Sequence, residues 1–251
     1  MSEPPQRPRL IPVLDVMNGV VVRAVGGDRK NYPPVRSPLT PSTVPTDIAQ
    51  ALLRSVGAGE LYVADLDAIT GSARVTPSVE ALMEACAVPV WLDAGTGRWD
   101  VLDWPPHQNL RPVVGFETCR VPEVLAEALL EPRQRPVAFS LDLRNGQLLG
   151  NWRAWGLAGD RDALALTRRV VDMGVRTLIV LDLARVGTGT GTGTNELVRA
   201  IRAEFPDLDL IAGGGVRTWS DVERLGKAGA TGVLVASALH EGTLVLPSPT
   251  A

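Results

Sequence analysis

Cysteine, histidine, excess basic charge and long apolar runs are all scarce in this chain, and each scarcity removes a class of function. The 251 residues include two cysteines, Cys86 and Cys119, which lack metal-ligand spacing and any secretory context. Both are therefore expected to be reduced thiols, not a disulfide framework. The two histidines, His107 and His240, lie far apart with no partners at ligand spacing, so neither a metal site nor a metal cofactor is expected. A formal charge of −3 with both signs scattered leaves no basic stripe for nucleic acid and no polybasic patch for an anionic membrane. Residues 1–9 are polar and proline-rich, neither a signal core nor a membrane span of about 20 apolar residues. The expectation is a cytoplasmic protein with a disordered tail at 1–9, a second tail at 243–251, and a small-molecule partner.

What is present is the composition of a sizeable core: 45% apolar and 21% charged residues. Eight short apolar runs of strand length, 10–14, 61–66, 90–93, 112–115, 137–141, 177–181, 208–212 and 232–235, alternate with helical segments. Because the runs are almost wholly apolar, the strands are expected to be parallel and buried on both faces. Helices are predicted at 46–56, 78–87, 122–130, 161–173, 195–204 and 220–228, with a weak one at 97–103 that Trp104-Pro105-Pro106 ends. Length and alternation predict an α/β protein, a single (β/α)8 barrel of the TIM type over residues 10–242.

Internal repetition sharpens this into two half-barrels. Leu14-Asp15-Val16-Met17-Asn18-Gly19 is echoed by Leu141-Asp142-Leu143-Arg144-Asn145-Gly146, half a chain later. Val63-Ala64-Asp65-Leu66 pairs with Val180-Leu181-Asp182-Leu183, Trp99 with Trp219, and Val113-Val114-Gly115 with Leu234-Val235-Ala236, all in the same order. A doubly wound open sheet is the lesser alternative, since it does not require such symmetry.

In a parallel barrel the loops after the strands build the active site, so Asp15 and Asp142, ending strands 1 and 5, face one another across the mouth. One reading has each capping the Asn-Gly turn that follows it. The sharper one is an acid–base pair, one carboxylate accepting a proton while the other donates. After strand 7 comes Gly213-Gly214-Gly215 before a predicted helix, and after strand 8 Ala236-Ser237 opens a helical turn. Close backbone approach and free N–H groups at a helix start suit a phosphate there. The Gly-Thr repeat from Gly187 and Thr188 to Thr194 suits a loop that closes over substrate. Arg23, in an alternating run after Asn18-Gly19, is an anion-binding candidate on a small hairpin. Trp152 and Trp155 either stack on a substrate ring or pack a lid or core. Lys30 and Lys227 fall in a loop and a helix, so a Schiff-base mechanism is not expected.

Ile11-Pro12-Val13-Leu14-Asp15, Gly19-Val20-Val21-Val22-Arg23 and Val63-Ala64-Asp65-Leu66-Asp67 together resemble the phosphoribosyl isomerases of histidine biosynthesis, the HisA branch of the HisA/HisF barrels. Leu141-Asp142, Gly187-Thr188, Gly213-Gly214-Gly215-Val216 and Ala238-Leu239-His240-Glu241-Gly242 fall in register with that family. The resemblance implies an Amadori rearrangement of a substrate with a phosphate at each end, with Asp15 as base and Asp142 as general acid. It implies substrate contacts from Arg23, Asp65, Asp93, Glu117, Gly187 and Thr188. Arg23, where the cyclase branch has lysine, favours the isomerase branch, which needs no glutaminase partner.

Three departures stand out. The family's glycine triplet after strand 3 reads Asp93-Ala94-Gly95-Thr96, its Gly-Thr-Ala turn after strand 4 reads Gly115-Phe116-Glu117-Thr118, and its Arg-Asp-Gly-Thr reads Arg185-Val186-Gly187-Thr188. A carboxylate facing a phosphate costs about 4 kcal/mol at about 4 Å, roughly a thousandfold in binding. The alternatives are thus a paralogue acting on a mono-phosphorylated substrate as isomerase, lyase or synthase, and a non-catalytic phosphometabolite-binding barrel.

Overall fold

The computed structural model describes residues 7–71, 74–95, 106–130, 135–157 and 162–244. The helix expected at 97–103, Trp99 of the repeat, and residues 1–6 and 245–251 of the tails expected at 1–9 and 243–251 lie outside them, while Arg9, expected in the first tail, opens the first strand. Eight parallel strands form the barrel: β1 (Arg9–Met17), β3 (Leu61–Asp65), β4 (Val90–Asp93), β5 (Leu110–Gly115), β6 (Ala138–Arg144), β8 (Thr177–Asp182), β9 (Asp209–Gly213) and β10 (Gly232–Val235). Each pairs with the next, and β10 returns to β1 with Arg9 opposite Gly232 and Pro12 opposite Val235. The sheet is closed, which removes the open doubly wound alternative.

Two short strands stand outside the ring. β2 (Val20–Val22) folds back antiparallel on β1, and β7 (Gln147–Leu148) on β6. Their turns are near copies: Asn18 and Gly19 have φ of 52° and 78°, Asn145 and Gly146 52° and 76°. Two successive left-handed residues are what a tight hairpin turn requires, and Asn-Gly supplies them cheaply. The internal repeat is therefore visible as backbone geometry.

Among the described residues, seven helices of the outer layer follow the strands in order: α1 (Pro45–Val56), α2 (Leu66–Thr70), α3 (Pro77–Ala85), α4 (Pro122–Leu129), α5 (Ala163–Asp172), α6 (Asn195–Glu204) and α7 (Trp219–Ala228). A last short turn, α8 (Ser237–His240), lies at the mouth. Proline at the first turn of α1, α3 and α4 presets φ where no N–H partner is needed. The five-residue α2 was not expected. The apolar run 61–66 ends as strand at Asp65, whose carboxylate accepts the Ala68 N–H at 3.1 Å and starts a helix.

Alternation along each strand divides the core. Val63, Leu92, Leu141 and Val180 point outward to the helices, while Ile11, Tyr62, Trp91, Val113, Ile179 and Ile211 fill the barrel interior. Burial on both faces explains the unbroken apolar runs. Both cysteines are buried, and neither is in a disulfide. Among the described residues no helix is long and apolar enough to cross a membrane.

Candidate active site

The C-terminal ends of the strands surround an open cleft. Its floor carries three carboxylates: Asp15 at the end of β1, Asp93 ending β4, and Asp142 in β6. The Asn-Gly turns do not use Asp15 or Asp142. Asp67 accepts the Asn18 N–H at 2.6 Å, and Asp182 accepts those of Asn145 and Gly146 at 3.1 and 2.9 Å. That disposes of the turn-capping reading and leaves both carboxylates facing the cleft.

Their surroundings tune them to neutral pH. Burial raises Asp15 to about 7, with Arg29 opposing and Asp93 reinforcing the rise. Burial likewise raises Asp142 to about 7, aided by Asp93 and opposed by the hydrogen bonds that hold it, from Glu117 N–H at 3.0 Å and Ser140 Oγ at 2.7 Å. Asp93 rises to about 6, again mainly by burial. Asp15 and Asp93 keep an edge on the cleft, so water reaches them while protein surrounds the rest. Tyr62 donates to Asp93 Oδ2 at 3.4 Å, and burial beside three carboxylates pushes its phenol well up. At pH 7 such a set holds protonated and ionised carboxyl groups together, which is what proton relay needs.

Glu117 sits on the turn after β5, where Phe116 is fully buried against Phe139 and Trp155, with ring centroids at 6.3 and 5.9 Å. Trp155 donates through Nε1 to the Cys119 carbonyl at 3.2 Å, so it braces this turn from behind and does not stack on a ligand. Arg29, from the long loop after β2, grips the Glu117 carboxylate through both nitrogens, at 3.2 and 2.5 Å. Sequence reading assigned Arg29 no role. The partners stand 88 residues apart and no local pattern links them. Glu117 therefore does not present a bare charge to the cleft, as the sequence suggested.

Opposite lies the glycine triplet. Gly214 and Gly215 have φ of +87° and +81°, and a Cβ on Gly215 would fall 2.5 Å from the Gly191 carbonyl oxygen. Only glycine fits this turn. The helix that follows it is not the donor expected: Thr218 and Asp221 close a capping box on α7, and Asp221 also accepts the Arg217 N–H. Amides with no acceptor among the described residues lie instead at Gly214 and Gly215 and at Ser237 and Ala238, where α8 opens at Ala236 without a side-chain cap. Arg23 lines the same end, half-exposed and paired with Glu241 at 2.7 Å.

The Gly-Thr loop also reaches the cleft. Gly187, Gly189, Gly191 and Gly193 all have positive φ, and Gly187 packs directly on the Ala24 carbonyl. Gly187 and Thr188 line the cleft, while Thr192 and Thr194 are buried. Asp65 is a correction: wholly buried, it accepts from Ala68 N–H, Thr76 N–H and Thr76 Oγ, all outside the cleft. Its repeat partner Asp182 pins a hairpin, so the shared motif marks a structural post and not a substrate contact.

A family model described as "Histidine biosynthesis protein" matches residues 9–245. Curated relatives carry the name 1-(5-phosphoribosyl)-5-((5-phosphoribosylamino)methylideneamino)imidazole-4-carboxamide isomerase. One from Deinococcus radiodurans is 33% identical over 249 residues, 96% of this chain and 97% of the relative. One from Thermus thermophilus is 31% identical over 239 residues, 95% of this chain and 97% of the relative. A third, from Caulobacter vibrioides, is 31% identical over 244 residues, 94% of this chain and 95% of the relative.

Proposed function

Because the chain belongs to the histidine biosynthesis protein family, we propose that it is an aldose–ketose isomerase that carries out an Amadori rearrangement on a phosphorylated amino-sugar. The observation that carries this reading is the pair Asp15 and Asp142, set at the ends of repeat-related strands in one cleft and both raised to about 7. Asp142, protonated, donates to the ring oxygen as the C1–O bond breaks, leaving an imine. Asp15, ionised, removes the C2 proton, and the enaminol becomes the ketose as C1 gains a proton and the C2 hydroxyl loses one. No atom is gained or lost overall. The free amides of Gly214, Gly215, Ser237 and Ala238 hold a phosphate, and Arg23 adds a cation by leaving Glu241.

In this reading the partner is a phosphorylated small molecule in the cytoplasm, with neither nucleic acid nor a glutaminase required, in line with a mixed-sign net charge of −3. The test is conversion of a phosphorylated N-substituted 1-aminoaldose to its 1-aminoketose, followed by the appearance of the ketone in the product. Asp15→Asn and Asp142→Asn are each expected to lower kcat about 10²- to 10⁴-fold. Their affinity for ribose 5-phosphate should stay within about threefold of the parent's. Turnover that survives both substitutions excludes this chemistry.

A further inference from the structure

The two halves of the barrel keep the same turn in corresponding places, yet they offer an anion opposite receptions. Gly95, after β4, has φ +74°, and Gly215, after β9, has φ +81°. A Cβ would meet backbone at both, 2.9 Å from Ile69 Cα at the first and 2.5 Å from Gly191 O at the second. The backbone path is thus shared. What differs is the supply of hydrogen-bond donors.

At the second-half end, the amides of Gly214, Gly215, Ser237 and Ala238 have no partner among the described residues. At the first-half end, the amides of Gly95, Phe116, Glu117, Thr118 and Cys119 are already taken. Asp93 Oδ1 accepts from Gly95 at 3.0 Å, Ser140 O from Phe116 at 2.9 Å, and Asp142 Oδ2 from Glu117 at 3.0 Å. Gly115 O accepts from Thr118 and Cys119 at 3.1 and 2.9 Å. The guanidinium that reaches this end, Arg29, spends two N–H groups on Glu117. Asp93 stands where Gly213 stands in the other half, and a methyl on Gly115 would lie 3.3 Å from its Oδ2 and 3.2 Å from Asp142 Oδ2. A phosphate there would meet the carboxylates of Asp93 and Asp142, a guanidinium committed to Glu117, and fewer open amides than the second-half end supplies.

We infer that Asp93 is a specificity-determining residue that closes the first-half end to phosphate, so that the substrate carries one phosphate, held at the second-half end, and a neutral or cationic group beside Asp93. The inference rests on the isomerase reading for the phosphate at the second-half end. It departs from the bis-phosphoribosyl compound for which the relatives are named.

The test titrates the full-length protein at pH 8, where Asp93 is ionised, with ribose 5-phosphate and with the relatives' bis-phosphoribosyl substrate. Asp93→Gly restores the glycine, and Asp93→Asn removes the charge while keeping groups able to bond Gly95 and Tyr62. Circular dichroism confirms that each variant is folded. In both, the ratio of affinities, bis-phosphate over mono-phosphate, is expected to rise at least tenfold. A ratio unchanged in the folded Asp93→Asn variant overturns the inference, as does electron density for a second phosphate beside Asp93 in the parent protein. Absence of any ribose 5-phosphate binding overturns the second-half cradle, and with it both readings.

Discussion

Asp15 shows how a buried carboxyl at the mouth of a cleft strains a fold. Its carboxyl is surrounded by protein and lacks a hydrogen-bond partner among the described residues, so the folded state favours the protonated form and its value rises from 3.8 to about 7. Below pH 3.8 both folded and unfolded chains hold the proton, and the group is neutral in its effect on stability. As pH rises through that value the unfolded chain releases its proton first, and stability falls until the folded carboxyl ionises near 7. Asp15→Asn escapes this loss. The variant is expected to be more stable than the parent by about 2 kcal/mol at pH 8, discounted for the water at the carboxyl's open edge, and no more stable at pH 3.5. Urea melts at the two pH values check it; equal gains at both would sever the link to ionisation. The same substitution lowers turnover in the reading proposed above, so stability and activity should move in opposite directions.

At the scale of elements, the cleft is assembled by loops that lean on one another across the barrel. The loop after β2 reaches the turn after β5 through Arg29 and Glu117, and it touches the Gly-Thr loop where Gly26 N–H donates to Val186 O at 2.9 Å. The Gly-Thr loop in turn backs the glycine triplet, Gly191 O lying against Gly215. Gly215→Ala therefore disturbs two loops at once. Its positive φ costs about 1 kcal/mol for a side chain, and the added methyl pushes Gly191 away. Ribose 5-phosphate affinity is expected to fall at least tenfold, with the urea midpoint slightly lowered. Gly146→Ala, also at positive φ but with open space around it, is the control: similar stability loss, unchanged affinity.

The whole barrel is locked at the opposite face. Arg9, at the start of β1, donates to Glu60 Oε1 at 2.6 Å and to Asp209 Oδ1 at 3.1 Å, while Trp91 Nε1 donates to Glu60 Oε2 at 2.7 Å. Three strands and the loop before β3 are thus tied where β10 closes on β1. Conserving the cleft's distance from this clasp separates stability from function, as barrels commonly do. Arg9→Ala should lower unfolding free energy by about 1 to 2 kcal/mol, because the half-exposed arginine serves two carboxylates. Turnover at 25 °C should stay within about twofold; a larger loss would mean that closure at the base controls the mouth.

The sequence by itself determined the architecture and the two aspartates, because both follow from short-range signals. Unbroken apolar runs set strands buried on two faces, and the repeated Leu-Asp-x-x-Asn-Gly placed Asp15 and Asp142 by symmetry. The glycine triplet was legible for the same reason, since a left-handed turn demands glycine locally. Tertiary structure decided what each charge does. Asp65 and Asp182 share a motif, yet one caps α2 and the other pins a hairpin. Glu117 is quenched by an arginine 88 residues away, and the α7 amides are taken by their own capping box. Charge is long-ranged and a partner's direction is set by folding, so a carboxylate's neighbours, unlike a glycine's φ, are not written beside it in the chain.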